Sequence, residues 1–112
     1  MNIFEYHLKE IHNLILTKKD ILKLDNIENL DKINLEVPPE QFNFDFSCNI
    51  AMVLGKSNKL APKKLAEKLR ELFLDQIKNF SNVEIAGPGF LNIKLSKSAL
   101  IENINSILKN NK

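Results

Sequence analysis

Phe90, Asn92 and Lys94 occupy alternate positions in the run Phe90-Leu91-Asn92-Ile93-Lys94-Leu95. In an extended strand, alternate side chains share a face. Leu91, Ile93 and Leu95 then supply an apolar face, and Phe90, Asn92 and Lys94 supply the opposite, solvent-facing one. That second trio holds the groups needed to grip an unstacked nucleotide. A ring can stack on a base, worth about 1–3 kcal/mol per base. A carboxamide offers a donor and an acceptor to a base edge. An ammonium group offers charge to phosphate. The same pattern also suits a plainer arrangement, in which Phe90 covers a second sheet face beside Phe42 or Phe44 and the other two are simply solvated.

Other reactive residue types are sparse. His7 and His12 are the only histidines. Five positions apart on a helix, they project about 140° from each other and cannot share a metal. They read as exposed or partly packed helix residues. Cys48 is the single cysteine, so it excludes an internal disulfide and reads as a small buried residue. Gly87-Pro88-Gly89 lacks both the Lys-Ser/Thr of a phosphate loop and the glycine spacing of a dinucleotide fold. The acids are scattered, with no paired carboxylates of the acid–base kind. Binding is therefore favoured over catalysis.

The elements that would position the trio follow from periodicity. Residues 3–16 read as an amphipathic helix, with Phe4, Leu8, Ile11 and Ile15 at helical spacing. Residues 20–30 suit a second short helix capped by Asp20 and holding Ile21, Leu24 and Ile27. Residues 33–37 alternate and stop at Pro38-Pro39, as a strand does. Phe42, Phe44 and Phe46 recur at period two in an extended segment. A short helix follows, with Asp45 or Ser47 as its cap and Gly55 as its stop. The clearest helix spans 62–78: Pro62 suits its first turn, and Leu65, Leu69, Leu72, Phe73 and Ile77 form its stripe. Residues 82–86 and 90–95 read as strands joined by the Gly87-Pro88-Gly89 turn. A last helix is predicted from Ser96 to about Leu108. The pattern predicts a single α+β domain over residues 1–112, a small, mainly antiparallel β-sheet covered on one face by helices.

Length and composition agree. The 112 residues are 44% hydrophobic and 27% charged, as in ordinary globular chains. No run approaches the roughly 18 apolar residues of a membrane span. The acidic, amphipathic start does not resemble a signal peptide, so a cytoplasmic protein is expected. Charge is uneven. Residues 1–55 carry five lysines and nine acids, a balance of −4, whereas residues 56–112 carry eleven basic residues and five acids, a balance of +6. That asymmetry points to an anionic partner for the second half. Lys56, Lys59, Lys63, Lys64, Lys68 and Arg70 suggest a basic face, from which Lys56, Lys63 and Lys64 are candidate phosphate contacts. The inference is tempered by a general bias towards Lys, Asn and Ile, which an AT-rich genome can produce. The Phe-rich segment 42–46 allows an alternative, a protein-interaction or dimerisation module.

Two blocks carry a family likeness. One is Asp45-Phe46-Ser47-Cys48-Asn49-Ile50-Ala51-Met52-Val53-Leu54-Gly55-Lys56. The other is Val83-Glu84-Ile85-Ala86-Gly87-Pro88-Gly89-Phe90-Leu91-Asn92-Ile93. Between them, Pro62-Lys63-Lys64-Leu65-Ala66-Glu67-Lys68-Leu69 supplies a proline-started helix. In order and spacing the chain resembles the N-terminal additional domain of arginyl-tRNA synthetases. Phe44 and Ala61 depart from the family pattern, which more often has Gly before Asp45 and a capping residue before Pro62. The resemblance implies binding to the outer corner of tRNA(Arg), at the D-loop, where an extruded base is stacked by Phe90 and read by Asn92. It implies site support from Asn49, Gly87 and Gly89. It further implies that ATP and arginine are bound by a catalytic domain that is absent from these residues, with no cofactor in this domain. On this reading the chain is a fragment of the enzyme, packs against that catalytic domain, and is expected to be a monomer.

Overall fold

The computed structural model of the protein describes residues 3–38 and 43–97. Helix α1 (Ile3–Lys18) opens the chain, followed by a single 3-10 turn (Leu30–Lys32). Then come β1 (Leu35–Glu36), β2 (Phe46–Cys48), α2 (Ile50–Asn58), α3 (Pro62–Gln76), β3 (Phe80–Ala86) and β4 (Phe90–Leu95). The four strands form one sheet in the order β1-β2-β4-β3, and every pairing is antiparallel. The α+β class is as the periodicity predicts.

Strand alternation sorts the sheet into two faces. Phe46, Cys48, Phe80, Val83, Leu91, Ile93 and Leu95 are buried in one apolar cluster with the helix residues Ile11, Leu14, Ile15, Ile50, Leu54, Leu65, Leu69 and Phe73. The described helices therefore cover this face. Ala66 and Leu69 of α3 are fully buried, while Leu72 is only partly so.

Several local expectations are corrected. Residues 20–30 form no second helix. Lys23 takes a left-handed backbone (φ 58), and the segment closes in turns through Leu22 N to Lys18 O and Leu24 N to Lys19 O. Leu22 and Leu24 are buried and Ile21 is 63% exposed, so burial here has period two rather than a helical period. Helix α2 does not stop at Gly55 but runs to Asn58, and the left-handed residue is Lys59 (φ 55). A Cβ on Gly55 would lie 2.9 Å from the Leu60 carbonyl oxygen. That glycine permits a close approach; it does not end the helix. Neither Asp45 nor Ser47 caps α2. Asn49 precedes the helix without a side-chain cap, and Asp45 instead accepts from Leu95 N at 2.7 Å. Phe46 is buried and Phe44 half-buried, so the described part of the Phe-rich segment forms no exposed patch. Phe42 and the helix expected beyond Lys97 lie outside the described residues.

His7 also differs from expectation. It is fully buried, stacked on Phe80 with centroids 5.7 Å apart, and lies 5.5 Å from Phe46. His7, Ile11 and Leu14 share one helical stripe, so the fold treats the imidazole as a core ring. Burial lowers its pKa to about 4.

Candidate functional site

Strand β4 is central, so each of its outward residues has neighbours on both sides. Antiparallel register places cross-strand partners on the same face. Asn92 lies opposite Ser47 on β2 and Glu84 on β3, and Glu36 on β1 continues the row beyond Ser47. Phe90 lies opposite Ala86, and Lys94 opposite Asn82. None of these residues belongs to the apolar cluster. The sheet thus presents a second, polar face, away from the described helices.

Phe90, Asn92 and Lys94 do share that face, but unequally. Phe90 and Lys94 are partly exposed. Asn92 is recessed, with only 6% of its surface exposed, rather than lying in solvent as the alternation alone suggests. Neighbours on both sides and along the strand shield it. Its carboxamide makes no hydrogen bond to another described residue. The residue is recessed, but its amide N and O are not among the sealed, unpartnered polar atoms, so water reaches them and a ligand edge can take that water's place. Lys94 is partly committed: its Nζ donates to Asn43 O at 3.2 Å, which leaves two of its three donors.

The turn that launches β4 is held by geometry that demands glycine. Gly87 has φ +57 and Gly89 has φ +143, both in the region that L side chains avoid. A Cβ on Gly89 would approach Pro62 Cβ to 3.1 Å. Gly55 also lies against Pro62, its Cβ direction meeting Pro62 Cγ at 3.4 Å. Pro62 is therefore a knuckle where the end of α2, the start of α3 and the β3–β4 turn meet. The two sequence blocks and the helix between them converge at this point.

Asn49 has a different task. Its Oδ1 accepts from Asn34 N at 2.8 Å and its Nδ2 donates to Lys32 O at 3.1 Å. It ties the 3-10 turn and β1 to the start of α2.

The predicted basic face divides. Lys56 borders a cleft with Lys32, Asn29, Asn49, Met52, Val53 and Ser57. Lys64 and Lys68 border another depression with Lys23, Leu22 and Leu60. Lys63 is exposed beside Pro62. Arg70 turns to the sheet edge, where Nε donates to Val83 O at 2.6 Å. The sequence missed Ser47, Glu84 and Ala86 as neighbours of the trio, because only register reveals them. Cys48 is buried at 0% exposure, and burial pushes its thiol up to about 12. That leaves it protonated and unsuited to nucleophilic attack at neutral pH.

Fold and site together define a small α+β domain with one helix-covered sheet face and one polar face built around an unspent carboxamide. The family model for the arginyl tRNA synthetase N terminal domain matches residues 8–95, and the chain belongs to that family. It is 40% identical over 114 residues to the arginine–tRNA ligase of Pelagibacter ubique (strain HTCC1062), a match covering 100% of this chain and 19% of the relative. With the arginine–tRNA ligase of Bartonella tribocorum (strain CIP 105476 / IBS 506) it shares 42% over 99 residues, covering 87% of the chain and 16% of the relative. With that of Caldanaerobacter subterraneus subsp. tengcongensis the figures are 32% over 114 residues, 99% and 20%. The chain spans about a fifth of the length of the curated relatives it matches.

Proposed function

We propose that this domain binds tRNA(Arg) at the outer corner, gripping an extruded D-loop base on the polar face of the sheet. Phe90 stacks on the base, Asn92 reads its edge, and Lys94 offers its remaining donors to a phosphate. Lys56, Lys63 and Lys64 contribute further phosphate contacts. In the full-length protein the domain packs against the catalytic part and positions tRNA for arginylation. The catalytic part holds ATP and arginine; the domain itself takes no cofactor and acts as a monomer over residues 1–112 in the cytoplasm.

The observation that carries the reading is the pairing of a half-exposed ring with a recessed, unspent carboxamide two residues along the same strand. An extruded base supplies what each lacks: a flat partner for the ring and a donor–acceptor edge for the amide. Family membership supports the choice of RNA over another ligand with the same chemistry. The test is binding of a tRNA(Arg) transcript to the chain by fluorescence anisotropy. Phe90→Ala is expected to weaken binding by about 1–3 kcal/mol, with an unchanged thermal melt. Unaltered affinity with an intact fold would remove the stacking role. A concentration-dependent dimer that binds no RNA would favour a protein-interaction module instead.

A further inference from the structure

Helix α2 has two faces. Ile50, Ala51, Leu54 and Gly55 are buried in the core. Asn49, Met52, Val53, Lys56 and Ser57 recur at i, i+3, i+4, i+7 and i+8, one continuous stripe of the helix. The 3-10 turn supplies the opposite wall through Asn29 and Lys32, which closes a cleft of about 520 Å³. None of the seven described lining residues is acidic.

The hydrogen bonding inside the cleft is incomplete in a specific way. Asn29 Nδ2 donates to Ser57 Oγ at 2.7 Å. The Asn29 Oδ1 acceptor and the Ser57 hydroxyl proton have no partner among the described residues. Asn49, by contrast, spends its Oδ1 and one Nδ2 proton on holding the wall in place. Met52 and Val53, both partly exposed, form an apolar floor between the two lysines. The cleft thus offers two ammonium groups, a hydroxyl donor, a carbonyl acceptor and an apolar surface. A ribose–phosphate unit matches all of these: anionic oxygens for the lysines, a 2′-hydroxyl for the Asn29 carbonyl, and a sugar face for Met52 and Val53.

Position favours a continuous path from the sheet face. Cys48 pairs with Leu91, the last β2–β4 pair. Asn49 follows Cys48 and Phe90 precedes Leu91, so the stripe on α2 begins where the β2–β4 pairing ends.

We propose that the Asn29–Lys32–Lys56–Ser57 cleft is a second RNA subsite, holding the ribose–phosphate backbone of the nucleotides beside the base that Phe90 and Asn92 hold. This rests on the proposed function above and adds to it a sugar-reading contact.

The test uses the 112-residue chain and a tRNA(Arg) D-arm hairpin. Its paired variants are Lys32→Gln with Lys56→Gln, and separately Asn29→Ala, each checked for an unchanged melt. The Lys pair is expected to lose about tenfold in affinity and to flatten the salt slope by roughly 1.5, since each lost phosphate contact removes about 0.7–0.9. Phe90→Ala is expected to lower affinity without changing the slope. Replacing the riboses beside the extruded base with 2′-deoxyribose should cost the parent chain three- to tenfold and the Asn29→Ala chain nothing. If the Lys pair and the deoxy substitution have no effect while Phe90→Ala still weakens binding, the cleft is not a subsite and the sheet-face reading survives. If the Lys pair flattens the slope but Phe90→Ala is silent, the cleft does not continue that face and the proposal fails in this form. If the hairpin does not bind at all, both fall together.

Discussion

His7 and Asn92 are the two buried polar residues of the described fold, and they lie on opposite faces of the same sheet. His7 is enclosed by Phe46, Phe80 and Tyr6 on the helix side, and neither ring nitrogen has a hydrogen-bond partner. Asn92 sits between Ser47 and Glu84 on the polar side. The difference teaches what an unpartnered polar group means in each place. Inside a sealed aromatic cluster it is a penalty, reduced by keeping the imidazole neutral. On a face flanked by polar side chains and away from the described helices, the carboxamide stays in reach of water and carries no such penalty.

The pH dependence of stability is the strongest way to break that contrast. Burial holds the folded His7 at a pKa of about 4, below its ordinary 6.5. The unfolded chain therefore binds a proton first as pH falls. Stability is fully present above pH 6.5 and should fall between 6.5 and 4, by up to about 1.4 kcal/mol per pH unit. Glu10, whose pKa burial raises, acts in the opposite sense: it favours the fold in acid and loses that contribution as pH rises through its folded pKa. Urea midpoints at pH 7 and pH 5.5 measure the net effect, and His7→Phe separates the imidazole's share from that of Glu10: it should remove the loss on acidification while leaving RNA affinity alone. A parent chain equally stable at both pH values would contradict the sealed, neutral imidazole.

Next in size is the frame that presents Asn92. Gly89→Ala places a methyl group at φ +143 and 3.1 Å from Pro62, and should cost about 1–3 kcal/mol in a thermal or urea melt. An unchanged melt would show that the turn does not need the Pro62 contact. Asn49→Ala removes two bonds to the backbone of Lys32 and Asn34 and should destabilise by roughly 1–3 kcal/mol, at about 1 kcal/mol per bond.

The smallest expected stability effect sharpens the comparison most. Asn92→Ala breaks no hydrogen bond to a described residue, so its melt should shift by less than about 0.5 kcal/mol. Its affinity for tRNA(Arg) should nonetheless drop by about 1–2 kcal/mol through the lost base-edge bonds. A large loss of stability instead would place Asn92 with Asn49, as a structural residue.

The chain itself determined what depends on local geometry. The stripe of α3, the antiparallel β3–β4 pair and the shared face of Phe90, Asn92 and Lys94 follow from periods of 3.6 and 2, which a single segment sets without help. Residues 20–30 misled because buried apolar residues in consecutive turns can imitate helical spacing. Only tertiary structure decided the rest. Strand register made Ser47 and Glu84 neighbours of Asn92. Packing turned His7 inward and split the lysines between two clefts. The meeting of Gly55 and Gly89 at Pro62 joined the end of α2 to the turn before β4. Each of these joins residues far apart in the chain, so each depends on how the layers stack, which no single segment's propensity contains.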